Sequence, residues 1–139
     1  MEKIQFDSGI KSYRINGAGV LRFHPGDPNL YNRFLEAVEK FKALEQELGE
    51  KTAQEGQILT CMQEADSKMK ALLNWIFGNN NDFDTLLEGV NLLAVADNGQ
   101  RIITNLLQAL EPVLLEGAKH CAGVQTSLAQ QKAKARREA

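Results

Sequence analysis

The feature that most constrains this chain is a run of apolar residues spaced alternately three and four apart. Leu30, Phe34, Ala37, Phe41, Leu44 and Leu48 keep that rhythm, and so do Ile58, Met62, Ala65, Met69, Leu72 and Ile76. The spacing places every member of a run on one helix face, because a turn takes about 3.6 residues. Between the runs, Gly49 to Gln57 holds no large apolar residue. Counting three and four across it passes Lys51 and Glu55 and lands on Ile58 in phase. The kept phase favours one long helix over 28–77 against two helices with a hinge near 49–57. Two mid-helix glycines oppose that, each costing roughly 1 kcal/mol relative to Ala.

A second signature fixes the start of this segment. Asp27 precedes Pro28, and a carboxylate caps free N–H groups while proline suits the first helical position. Upstream, Lys11-Ser-Tyr-Arg-Ile15 and Val20-Leu-Arg-Phe23 flank Asn16-Gly17. Asn-Gly between two β-prone runs is a hairpin signal, so region 1–24 reads as a β-hairpin. Ile4 and Phe6 offer a third strand. Downstream, Gly78 is placed to stop the helix, and 78–97 reads as a loop with one short helical turn at Asp84–Glu88. Asp97 and Gln100 have capping-box spacing, which predicts a last helix over 98–130. Its seam is Ile103, Leu107, Leu110, Leu114, Gly117, Cys121, Val124 and Leu128, interrupted by the kinking Pro112. Residues 131–139 form a basic tail expected to fray. The seam of 58–76 is expected to face that of 103–121.

The fold class is therefore mainly α with a small N-terminal β-hairpin, a single domain over 1–139 built on a long antiparallel helical hairpin. Aromatic residues are 6% of the chain, so aliphatic side chains must fill the core. Length raises a difficulty. A helix from Pro28 to Phe77 would be about 75 Å long at about 1.5 Å per residue, against roughly 37 Å for a compact domain of this size. Phe34, Phe41, Leu44 and Leu48 would then lack cover, and exposed stripes of that size mark an interface. These four and Trp75 are the candidate interface residues, covered by a second copy or by another protein. Trp75, beside the turn at Gly78, also fits a core plug at the end of the hairpin.

Chemistry-bearing patterns are sparse. The two histidines, His24 and His120, and the two cysteines, Cys61 and Cys121, form no ligand spacing for zinc. The cysteines sit on or beside apolar seams and read as buried thiols. Asn80-Asn-Asp82-Phe-Asp84 begins like a calcium loop, but Thr85 and Asn91 stand where glycine and glutamate are required. No catalytic, cofactor or metal residue is assigned, and the expectation is a non-enzymatic protein. With 16 basic and 18 acidic residues the net charge is -2, so nucleic acid is not the expected partner. The Lys132–Arg137 run has no interleaved aromatic for base stacking and complements a helix C-terminus. No stretch reaches the roughly 20 apolar residues of a membrane span, and Met1–Phe6 is no signal peptide. The chain reads as cytoplasmic.

Four pieces in order carry a likeness: Tyr13-Arg-Ile-Asn-Gly17, Phe23-His-Pro-Gly-Asp-Pro-Asn29, Asp66-Ser-Lys-Met-Lys-Ala-Leu-Leu-Asn-Trp-Ile-Phe-Gly78 and Thr104-Asn-Leu-Leu-Gln-Ala-Leu-Glu-Pro112. With these the chain resembles short proteins of bacteriophage and prophage tail modules, similar to tail assembly chaperones. The resemblance implies a protein without catalytic residues that assists tail assembly by binding the tape-measure or tail-tube protein in the host cytoplasm. The segment Val90–Ala96 has no counterpart in that pattern. Two other classes compete. A small secreted helical hairpin of the Trp-x-Gly type would need Trp75 and Gly78 one residue closer. A nucleic-acid accessory protein would rest on the basic tail alone.

Overall fold

The computed structural model describes residues 1–55, 57–78 and 81–138, the side chains of 52–55 and 138 excepted. Two strands, β1 (Lys11–Ile15) and β2 (Gly19–Phe23), precede four helices. The strands pair antiparallel with Tyr13 opposite Leu21 and Ser12 opposite Arg22. The turn between them follows from its residues. Asn16 and Gly17 take φ of 48° and 77°, and the Ala18 N–H donates to the Ile15 carbonyl at 2.9 Å. Opposed residues share a face, so Tyr13, Ile15, Leu21 and Phe23 all lie toward the core. Ile4 and Phe6 form no third strand and stand in solvent, 91% and 79% exposed. The reason is local: the Asp7 carboxylate and Ser8 hydroxyl accept from the N–H groups of Gly9 and Ile10. Gly9 turns the chain at φ +73°, where a Cβ would lie 2.5 Å from the His24 ring.

Helix α1 (Pro28–Glu55) starts as its sequence dictates, the Asp27 carboxylate accepting from the Asn29 N–H at 2.9 Å. The single helix over 28–77 does not form. α1 runs past Gly49 to Glu55, the chain reverses, and α2 (Ile58–Phe77) packs back along it. Gly56, in the expected hinge, lies outside the described residues. The reversal is the cheaper arrangement, because it buries both seams against each other. Phe34, Ala37, Phe41 and Leu48 meet a face of α2 carrying Ala65, Met69, Leu73 and Ile76, all buried. Leu72, nominally on the seam, is only partly buried, and Leu73 takes the centre. The antiparallel hairpin is therefore α1 with α2, in place of the expected pairing of 58–76 with 103–121. Arg33 locks it, its guanidinium donating twice to the Ile76 carbonyl at 2.9 and 3.1 Å.

Gly78 ends α2 at φ 99°, its N–H donating to the Asn74 carbonyl. Residues 79–80 of the expected loop lie outside the described residues. Asp82 then caps the short α3 (Phe83–Leu86), accepting from the Asp84 N–H and the Thr85 hydroxyl. Rings meet across these elements: Tyr13 stacks on Phe23 at 4.7 Å, Phe23 meets Phe77 edge-to-face at 5.0 Å, and Phe77 lies tilted against Phe83 at 5.4 Å. Val90–Ala96 is core-forming, with Leu92 and Leu93 fully buried. Helix α4 (Ile102–Glu138) begins four residues later than Asn98. Gly99 at φ 82° bends Ala96–Gln100 into a tight turn instead, and Asn98 accepts from Gln100 within it. α4 then runs through Pro112, and the basic tail continues the helix to Glu138.

Candidate interaction surfaces

The titratable groups that converge are spent on holding elements together. The Lys70 ammonium sits between Asp66 at 3.0 Å and Asp84 at 2.6 Å, and the other Asp66 oxygen accepts the Leu92 N–H at 2.8 Å. One buried lysine thus joins α2, α3 and the loop before α4. Burial pulls the Lys70 pKa down, but the hydrogen bonds to Asp84 and Asp66 outweigh it, and the value lies above the usual 10.5. Asn81 makes a second clasp. Its amide donates to the carbonyls of Arg22 and Phe77 and accepts the Arg22 N–H at 2.9 Å. His24 is equally structural, its Nδ1 accepting from the Gly26 N–H at 3.0 Å. Cys61 and Cys121 are unpaired and half-buried rather than buried. Among the described residues no three His, Cys, Asp or Glu side chains are grouped to hold a metal. No helix among them is long and apolar enough to cross a membrane.

The candidate interface residues fall into two groups, and the first is a correction. Phe34, Phe41 and Leu48 are buried inside the chain, and Leu44 is half-buried against the same core. α2 supplies the cover that a continuous helix would have left to a partner. Trp75 is different. It is no core plug: it is 42% exposed on the outside of the α1–α2 pair, with the Lys40 ammonium 5.3 Å from its ring centre. That contact is a cation–π pair between α1 and α2.

The exposed surfaces are elsewhere. Ile103, Leu110 and Leu114 bury the first turns of α4, and at Gly117 the helix touches the Pro25–Gly26 turn so closely that a Cβ would lie 1.9 Å from the Pro25 carbonyl oxygen. Beyond Cys121 every described residue to Arg137 is exposed, Val124 and Leu128 included. This arm is about 24 Å long at about 1.5 Å per residue. From Ala118 to Arg137 the chain has Lys119, Lys132, Lys134, Arg136 and Arg137 and no acidic residue. A chain acidic overall thus projects a basic, apolar-striped helix. The seam spacing had marked this stripe, but spacing alone cannot say that its second half lacks cover. A trough forms the other surface. It lies between α4 and the core face of the sheet, with about 540 Å³ of space. None of the family models, curated proteins or solved structures compared with it matches this chain.

Proposed function

We propose that this chain is a non-enzymatic binding protein that grips a partner through the arm formed by residues 122–137 of α4. The arm carries the proposal. Val124 and Leu128 continue the stripe of Leu110 and Leu114 at the same three-and-four spacing, now without cover. Such a stripe takes a second helix in its grooves. The basic run Lys132–Arg137 beyond Leu128, with Lys119 before Val124, selects an acidic amphipathic helix and makes two such arms repel. The likeness to phage tail assembly chaperones supports a tape-measure or tail-tube protein as the partner, met in the host cytoplasm before the tail is complete. An enzymatic reading has less support, since the buried Lys70 ammonium is taken up by Asp66 and Asp84, and the other Asp66 oxygen by the Leu92 amide.

Co-expression with the tape-measure and tail-tube proteins of the same genome tests the reading. The expected result is co-purification with one of them, lost when the chain is truncated after Cys121 or when Val124 and Leu128 are both changed to Asp. A complex that survives truncation would overturn the proposal. So would binding to duplex DNA with no binding to either tail protein.

A further inference from the structure

We propose that two copies of this chain exchange residues 2–7, each segment lying as a third strand along β1 of the other. The surface is separate from the α4 arm, so this inference and the proposed function can fail independently.

The sheet has two edges in different condition. On β2, Asn81 bonds both the N–H and the carbonyl of Arg22, which closes that edge at this residue. The same contact shows that both backbone groups of Arg22 point away from β1. In an antiparallel ladder, opposed residues either bond each other or both point outward. Ser12, opposite Arg22, and Arg14, opposite Val20, therefore present their N–H and carbonyl groups on the outer edge of β1. Among the described residues nothing bonds them there. An open edge of this kind is a template for another extended chain.

Below that edge lies the trough along α4. Tyr13, Ile15, Leu106, Leu110 and Val113 line it. Past Tyr13 and Val113 it continues into a depression of about 630 Å³ that Lys11, Pro25 and Gly117 border. A strand added to β1 would drop alternate side chains into this trough, and apolar ones would fit it.

Residues 2–7 have the matching pattern. In an extended chain Ile4 and Phe6 share one face, with Glu2 at its end, while Lys3, Gln5 and Asp7 share the other. Both apolar side chains stand almost fully in water, at 91% and 79%, in a segment without regular secondary structure. The chain's own β1 is not available to this segment. Only Ile10 separates Gly9 from β1, so lying back would need a hairpin at Asp7–Gly9. The side chains of Asp7 and Ser8 already hold those residues in turns, and Gly9 is seated on the His24 ring. A second copy offers the same open edge and trough at no such cost. Reciprocal exchange then closes a two-fold dimer with one contact made twice.

Light scattering on the eluting full chain, over a concentration series, gives the first readout. The expected mass rises toward twice 15.4 kDa with concentration. Phe6→Asp should weaken the dimer at least about tenfold, a difference of about 1.4 kcal/mol, without lowering the melting temperature at concentrations where the parent is a monomer. Arg14→Pro is the second variant. It removes the outward N–H while leaving the ladder with β2 intact, and it too should give a folded monomer by circular dichroism. Mixed samples of isotope-labelled and unlabelled chains should show contacts between the Phe6 ring and Val113 methyls of different chains. A monomer at every concentration overturns the proposal, as does a dimer that both variants leave unchanged. Phe6–Val113 contacts found only within one chain also overturn it.

Discussion

Along α4, Leu110 and Leu114 on one side of Gly117, and Val124 and Leu128 on the other, stand on one stripe at one spacing. The first pair is buried and the second is about half-exposed. Nothing in the pattern separates them. What separates them is what lies opposite: α1 and the Pro25–Gly26 turn cover the stripe as far as Gly117, and then the body of the protein ends. Periodicity thus specifies which face of a helix is apolar, while the rest of the chain decides how much of that face stays free to bind. The same contrast separates α1 from the arm, for the stripe of α1 finds its cover in α2.

Substitutions on the two halves of α4 should differ most in stability. Leu114→Ala should cost about 2–5 kcal/mol, as cavity-forming changes do in well-packed sites. Leu128→Ala should stay within about 0.5 kcal/mol of the parent. Chemical denaturation of both variants measures the gap, and equal losses would erase the distinction. Glycines offer a comparison of sign. Gly117→Ala improves helix propensity by about 1 kcal/mol, but its Cβ would meet the Pro25 backbone at 1.9 Å. Backbone must move, and a net loss of about 1–3 kcal/mol is expected. Gly123→Ala meets nothing within 4 Å, so the substitution should stabilise by about 0.4–1 kcal/mol.

A third test concerns the packed body alone. Because the folded Lys70 pKa is raised, its contribution is complete below about pH 10.4 and is lost as pH rises through the higher folded value. Lys70→Met should lose about 1–3 kcal/mol at neutral pH, leaving Asp66 without its cation, and should flatten the alkaline limb of the stability profile. Asp82 acts at the other end. Its pKa is lowered, first by the Thr85 hydroxyl, so its contribution is present above about pH 3.9 and fades as pH falls through the folded value. Thr85→Val should make stability near pH 4 less dependent on pH. Truncation after Cys121 should likewise stay within about 0.5 kcal/mol, since every residue from 122 to 137 that it removes is exposed.

The sequence announced those elements whose causes are local. Asn16-Gly17 marked the hairpin, Asp27-Pro28 the start of α1, Gly78 the end of α2 and Asp84–Glu88 a short helical turn. The errors arose where a long-range contact decides. The phase kept across Gly49–Gln57 favoured a continuous helix, yet two seams that face each other can keep phase as readily as one that is continuous. Asp97 and Gln100 have the spacing of a capping box, but Gly99 at positive φ makes that stretch a turn. Phe34, Phe41 and Leu48 looked uncovered only because α2 was expected to extend away from them. The loop leucines Leu92 and Leu93 become core residues through the polar grip of Asp66 and Asn91, which no spacing announces. Of the candidate interface, Trp75 alone is largely at the surface. The arm and the open β1 edge became visible only once the core had been assigned.

Hydrogen exchange along α4 of the isolated chain tests the central claim most directly, because amide protection reports local opening residue by residue. Protection should be strong from about Leu106 to Gly117, where the helix is packed. It should fall by at least about a hundredfold beyond Cys121, since a lone sixteen-residue helix is marginal in water. Uniform protection from Leu106 to Arg137 in the isolated chain would contradict the account, for it would mean that the arm is already covered.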